Sequence, residues 1–265
     1  MTKIRLIATD MDGTFLNNMM DYNRSRFRNL YEKMKLKNIK FVIASGNQYY
    51  QLKSYFKDYP ELLYIAENGA YIRSQAQVYQ ETSFSSQNAE QILEKLTQIP
   101  KLQVLVCGEM GAYYLSNAEK DFIILSHKYY PRLEAVRAFD MINDHILKFA
   151  LSCSPEETED VVLKLRKKLK GIAEPTSSGR GGIDIIQPGM NKAAGLRVLG
   201  GKFGIPFSKM CAFGDGGNDL EMLSEVGEGV AMENASSAVK KITSYRTASN
   251  EEQGVLSYVE EIVQR

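Results

Sequence analysis

Two aspartates two positions apart, followed by a glycine, form the segment Asp10-Met11-Asp12-Gly13-Thr14. Paired carboxylates beside a residue that lets the chain turn suit a divalent cation and a nucleophile together. The plain alternative is an Asp-rich turn that ends a strand. A calcium loop does not fit, because its sixth position falls on Phe15 where glycine is needed and its twelfth on Asp21 rather than Glu. Three other segments carry polar groups that suit the same chemistry. Ser45 offers a small hydroxyl for a phosphate oxygen, although alone it reads as a Ser-Gly turn. Lys192 follows Pro188-Gly189-Met190 and opens a predicted helix. A cation there opposes the helix dipole unless it and the helix end face an anion; alone it reads as a solvated lysine. In Gly214-Asp215-Gly216-Gly217-Asn218-Asp219 the glycines admit close backbone approach, and Asp215 can complete a site of hard oxygen ligands. Asp219 alone reads as an N-cap. The spacing is neither a dinucleotide fingerprint nor a P-loop.

Each segment follows a predicted strand or opens a predicted helix. In residues 1–82 the apolar runs 4–8, 41–44 and 63–66 read as buried strands, and 24–38 and 48–58 as helices. The rhythm returns with strands at 210–213 and 229–232 and helices at 191–203, 219–226, 235–242 and 257–263. Continuous apolar strands separated by helices are the pattern of a parallel sheet covered on both faces. Ligands of such sheets bind at the carboxyl ends of the strands, so the four segments converge at one rim. Residues 83–187 differ in character. Strands at 103–107, 112–115, 148–152 and 183–186 alternate with polar residues, and helices at 88–98 and 155–170 interleave. The expected fold is therefore α/β, a Rossmann-like doubly wound parallel-sheet core (1–82 plus 188–265) with an inserted α+β domain (83–187).

Composition excludes other classes. The 265 residues carry 33 basic and 32 acidic side chains, a net charge of +1, which argues against nucleic-acid binding through a basic surface. The basic run Lys164, Arg166, Lys167, Lys168 and Lys170 reads as a solvated helix face. Apolar runs such as 62–66 stop at five residues, so no membrane span is expected, and the opening Met1-Thr2-Lys3-Ile4-Arg5 carries no expected targeting signal. Cys107, Cys153 and Cys211 are scattered and sit in apolar runs, which suggests free thiols and a cytoplasmic setting; His127 and His145 are not placed to build a zinc site with them.

The order and spacing of Asp10 to Thr14, Ser45, Lys192 and Gly214 to Asp219 resemble the four motifs of the haloacid dehalogenase-like phosphatase superfamily. The size and position of the insert resemble the cap of its Cof-type branch, and Ala44-Ser45-Gly46-Asn47-Gln48-Tyr49-Tyr50 and Ser178-Gly179-Arg180-Gly181 resemble its sugar-phosphatase members. The resemblance implies a Mg²⁺-dependent phosphatase acting on small phosphate monoesters, sugar phosphates foremost, as a monomer or weak homodimer. It implies Asp10 as nucleophile, Asp12 as acid and base, and Asp10, Asp12 (through its carbonyl) and Asp215 as metal ligands. Ser45, Lys192 and Asn218 would hold phosphate oxygens, Asp219 would orient Lys192 or a metal-bound water, and Arg180 and Asp184 are candidate cap contacts to substrate. Asn47 departs from the pattern, since many Cof-type relatives carry Arg there. A nucleotide or cofactor phosphatase, a phosphomutase-like enzyme and a non-catalytic phosphate-binding regulator are the alternatives on this core.

Overall fold

The structure, a computed structural model, describes residues 3–179 and 181–265. The apolar runs become buried strands. β1 (Leu6–Thr9) is buried at every position; α1 (Arg24–Leu36), β2 (Lys40–Ala44), α2 (Tyr49–Tyr55) and β3 (Leu63–Ala66) follow it. The Asn23 side chain caps α1 by accepting from the Arg26 amide, and α1 turns Phe27, Leu30, Tyr31 and Met34 inward at helical spacing. A hairpin, β4 (Tyr71–Arg73) and β5 (Val78–Glu81), completes this segment.

The next stretch builds a second sheet from α3 (Ser86–Thr97), β6 (Gln103–Gly108), β7 (Ala112–Leu115), α4 (Lys120–Tyr129), β8 (Leu133–Val136), β9 (Ile146–Ser152), α5 (Thr158–Lys168), β10 (Glu174–Gly179) and β11 (Gly182–Ile186). Its order is β10-β11-β9-β6-β7-β8, antiparallel except where β7 and β8 run parallel through the α4 crossover. One face buries Ile92, Leu96, Phe149, Leu165, Ile183 and Ile185. The chain then returns with α6 (Lys192–Phe203), β12 (Met210–Gly214), α7 (Leu220–Glu225), β13 (Glu228–Ala231), α8 (Ser237–Ile242), β14 (Tyr245–Arg246) and α9 (Gly254–Gln264). The two crossings between the sheets are stapled together, Gln187 Nε2 donating to the Thr82 carbonyl at 2.7 Å.

The first sheet has the order β14-β13-β12-β1-β2-β3-β4-β5. The strands from β14 to β3 are parallel, as expected. The β4–β5 hairpin adds an antiparallel edge that the pattern reading did not separate, because β5 is only half-buried or exposed. Thr9 lies opposite Ile43 on one side and Phe213 on the other, so the chain leaves β1, β2 and β12 at one rim. Successive strands run outward from β1 in both directions, which makes its carboxyl end the topological switch point. Among the described residues no helix is long and apolar enough to cross a membrane.

Candidate active site

Asp10 is the first residue beyond β1 and is buried, and Lys192 begins α6 with only 1% exposure. The Lys192 ammonium donates to Asp10 Oδ1 and to Asp219 Oδ1, each at 2.6 Å. Asp219 is fully buried, and its other oxygen accepts from the amides of Asp215 and Gly216, both at 3.0 Å. Thr14 Oγ1 donates to Asp215 Oδ1 at 2.7 Å. Two glycines make this packing feasible. A Cβ on Gly13, whose φ is +74°, would lie 2.6 Å from Asp215 Oδ2, and one on Gly214 would lie 2.5 Å from the Asp219 carboxyl carbon. Three of the four sequence segments thus meet within hydrogen-bond distance although 182 positions separate Asp10 from Lys192.

The electrostatics of this group are unbalanced. Carboxylate oxygens of Asp10, Asp215 and Asp219 lie within 4.8 Å of one another, with one ammonium among them. Burial pushes the Asp10 carboxyl well above the usual range against the pull of Lys192, with Asp219 and Asp215 adding to the rise. Burial also lifts Asp215 to about 6, the Thr14 hydrogen bond opposing it. Burial alone would lower Lys192, but the charges of Asp10 and Asp219 outweigh it and hold the ammonium protonated. The residues fit a hard divalent cation, because the donors are carboxylate oxygens and the local charge is an uncompensated surplus of negative. Asp219 is not a free ligand, since both its oxygens are already engaged.

Ser45 is buried at the end of β2, its Oγ accepting from the Asn47 amide at 3.1 Å. The Asn47 carboxamide reaches Asp12, donating to Oδ2 at 2.7 Å, while Asp12 Oδ1 is buried with no hydrogen-bond partner among the described residues. Asn218 is half-buried on the short turn Gly217–Asp219 and lines a cleft of about 420 Å³ between the two sheets. Arg166 and Lys170, read from sequence as solvated, remain exposed but border this cleft together with Asn68 and Asn191. Arg180 lies outside the described residues.

A family model described as haloacid dehalogenase-like hydrolase matches residues 7–259. The chain belongs to that family. It is 41% identical to the 5-amino-6-(5-phospho-D-ribitylamino)uracil phosphatase YbjI of Escherichia coli, over 98% of this chain and 96% of that protein. It is 28% identical to the 5-amino-6-(5-phospho-D-ribitylamino)uracil phosphatase YitU of Bacillus subtilis, over 98% of each. Among solved structures, SMU.1108c from Streptococcus mutans superposes with a TM-score of 0.95 at 32% identity, covering 99% of this chain and 100% of that one. The chain is a haloacid dehalogenase-like phosphatase.

The phosphatase holds a second buried charge cluster that the sequence reading did not assemble. Lys148, on β9, donates to the Gly46 carbonyl at 2.6 Å and to Asp184 Oδ2, on β11, at 3.2 Å. Glu67 Oε2 lies 3.3 Å from the same ammonium without hydrogen-bond geometry. Asn68 Nδ2 donates to Asp184 Oδ2 at 2.6 Å. Asp184, expected as a substrate contact, is therefore buried and engaged beside the Ser45-Gly46 turn. Two signals pointed here. Lys148 stands alone in the apolar run Ile146–Ser152, and Glu67 directly follows β3, at the same rim as Asp10.

Proposed function

We propose that this phosphatase hydrolyses small phosphate monoesters through an aspartyl-phosphate on Asp10, with residues 83–187 acting as the cap that selects the leaving group. The observation that carries the reading is the Lys192 ammonium held between Asp10 and Asp219 at 2.6 Å each, with Asp215 beside them. Lys192 has three donors, so two can fix the carboxylates while the third meets a phosphate oxygen. Ser45 and Asn218 complete the phosphate cradle. Asp10 attacks phosphorus, and the ester oxygen leaves with a proton from Asp12. Asp12 then takes a proton from the water that cleaves the acyl phosphate. Asp219 holds Lys192 in place and, by accepting two backbone amides, the turn that carries Asp215.

Mg²⁺ is the cation that fits this oxygen donor set, and Asp10, the Asp12 carbonyl and Asp215 would hold it. When bound, it supplies positive charge that keeps Asp10 ionised and screens it from the anionic phosphate. The substrates favoured are sugar phosphates, whose hydroxyls suit the polar cleft formed by Asn68, Asn191, Asn218 and Thr176. A second reading, 5-amino-6-(5-phospho-D-ribitylamino)uracil, is favoured by the names of both curated relatives. It joins a polyhydroxylated phosphorylated chain to a polar ring that Arg166, Lys170 and Glu174 of the same cleft suit.

Phosphate release from a panel containing hexose phosphates, pentitol phosphates and that pyrimidine, with Mg²⁺ or with chelator, tests the reading. Mg²⁺-dependent release that Asp10→Asn abolishes is the expected result, and the substrate ranking separates the two leaving groups. Release that survives in Asp10→Asn contradicts the mechanism.

A further inference from the structure

The residue after the Ser45-Gly46 turn is held by hydrogen bonds from several elements. The Asn47 amide donates to Ser45 Oγ at 3.1 Å, and its carbonyl accepts from the Glu67 amide at 3.2 Å. On either side of it, the Gly46 carbonyl takes the Lys148 ammonium at 2.6 Å and the Ser45 carbonyl takes the Asn68 amide at 3.2 Å. With its backbone held from the core and from the second sheet, Asn47 extends its carboxamide to Asp12 Oδ2 at 2.7 Å. The other oxygen, Asp12 Oδ1, is buried and accepts nothing among the described residues.

We propose that Asn47 is the positioning residue of the Asp12 carboxyl, and that it fixes Oδ1 as the oxygen that delivers the proton. The inference deepens the proposed mechanism and rests on Asp12 being its acid and base. A protonated carboxyl has one carbonyl oxygen, the better acceptor, and one hydroxyl oxygen. An N–H directed at Oδ2 selects Oδ2 as the carbonyl, so the proton resides on Oδ1. The same bond stops rotation of the carboxyl, which would otherwise exchange the two oxygens. In the transfer, the Asp10 oxygen–phosphorus bond forms and the phosphorus–ester oxygen bond breaks. The Oδ1 proton passes to the departing oxygen, leaving an alcohol and an Asp12 carboxylate. Asn47 does not touch the reacting atoms in this scheme; it acts through Asp12 alone.

The test uses leaving groups of different need for a proton. Nitrophenolate departs without one, whereas the alkoxide of a sugar alcohol requires it. In Asn47→Ala and Asn47→Asp, kcat for a pentitol phosphate should fall about 10²-fold or more, the scale of a general acid's contribution. KM should stay within about threefold of the wild type, because no binding contact is removed. The pre-steady-state burst of nitrophenol from 4-nitrophenyl phosphate should slow by less than about threefold. Asn47→Asp should be the worse variant for the pentitol ester, since its carboxylate accepts where the amide donated and draws the proton to Oδ2. Asn47→Ala guards against misfolding from the added charge, since it leaves the backbone bonds of the turn intact.

Equal losses on both esters in Asn47→Ala, or a raised KM with unchanged kcat, would overturn the proposal. Asp12→Ala is run alongside. If it shows the leaving-group dependence and the Asn47 variants do not, the positioning role alone is wrong. If Asp12→Ala shows none, the assignment of the acid fails, and the positioning role with it.

Discussion

Among the described residues two lysines are buried, each between two carboxylates. Lys192 sits between Asp10 and Asp219, and Lys148 between Asp184 and Glu67. The settings differ in ways that bear on what each cluster does. Lys192 joins segments of one sheet, makes two short ionic hydrogen bonds, and has the further carboxylate of Asp215 beside it. Lys148 joins two sheets, and its shortest bond is to a neutral carbonyl, that of Gly46. Its carboxylate partners stand farther off, at 3.2 and 3.3 Å. The first cluster carries surplus negative charge at the rim where strands end, the arrangement needed to receive a cation and a phosphate. The second is closed on itself and holds the Ser45-Gly46 turn against the second sheet. A buried lysine between carboxylates therefore does not by itself mark a reactive site; what else faces the carboxylates does.

The largest expected effect distinguishes reactive from structural charge. Asp10→Asn should lower kcat by about 10³-fold or more, measured as phosphate release. The matching change in the second cluster, Asp184→Asn, should leave turnover within about tenfold of the wild type, because it touches only a supporting contact.

Next come the lysines themselves. Lys192→Met and Lys148→Met each strand a buried carboxylate, so each should cost about 3–5 kcal/mol in denaturant unfolding. Only Lys192→Met should also reduce kcat by about 10²-fold or more, through loss of charge stabilisation. Equal catalytic losses in both would erase the distinction between the clusters.

A smaller effect tests the surplus charge. Asp215 is lifted from 3.8 to about 6 in the folded protein, and Asp10 is raised as well. Native carboxyls with raised pKa values bind more protons than the unfolded chain within that window. Without cation, stability is thus favoured in acid and falls as pH rises through the window. If Mg²⁺ binds here as proposed, it should offset this loss, and its stabilisation, about 2.7 kcal/mol at a hundred times Kd, should appear at pH 7.5 and fade at pH 5 in thermal unfolding.

The smallest effect belongs to Glu67, which burial lifts from 4.5 to about 7 against the pull of Lys148. The same sign applies: its contribution favours the native state in acid and is lost as pH rises from 4.5 to about 7. Glu67→Gln should flatten the pH dependence of Tm across that range and melt no lower than the wild type at pH 8. A lower Tm at pH 8 would mean that the ionised Glu67–Lys148 pair is a net source of stability.

Much of the first cluster was legible in the sequence because parallel strands buried on both faces are written as short apolar runs. Leu6–Thr9, Lys40–Ala44 and Met210–Gly214 are such runs, and the chemistry-bearing residues follow them directly. The second cluster left only single-residue signals, Lys148 in its apolar run and Glu67 after β3, because Lys148 and Asp184 lie on different strands and meet Glu67 only when the sheets pack. The helix α4 escaped for another reason. Phe122 and Tyr129 pack inward on either side of buried Ser126, but Ile124 and Leu125 are 64% and 49% exposed, so its apolar residues do not fall on one face. Asn47 was visible as a departure from the family pattern, but its contact with Asp12 spans 35 positions and needed coordinates.

The most direct test of the proposed mechanism is chemical trapping of the phosphoenzyme. The protein is mixed with substrate and Mg²⁺, quenched in acid during turnover, reduced with borohydride, and mapped by peptide mass spectrometry. An aspartyl phosphate reduces to homoserine, so homoserine at Asp10, absent without substrate and absent from Asp10→Asn, is the expected result. Homoserine at Asp12 or elsewhere, or none at any residue while phosphate is being released, would contradict covalent catalysis by Asp10.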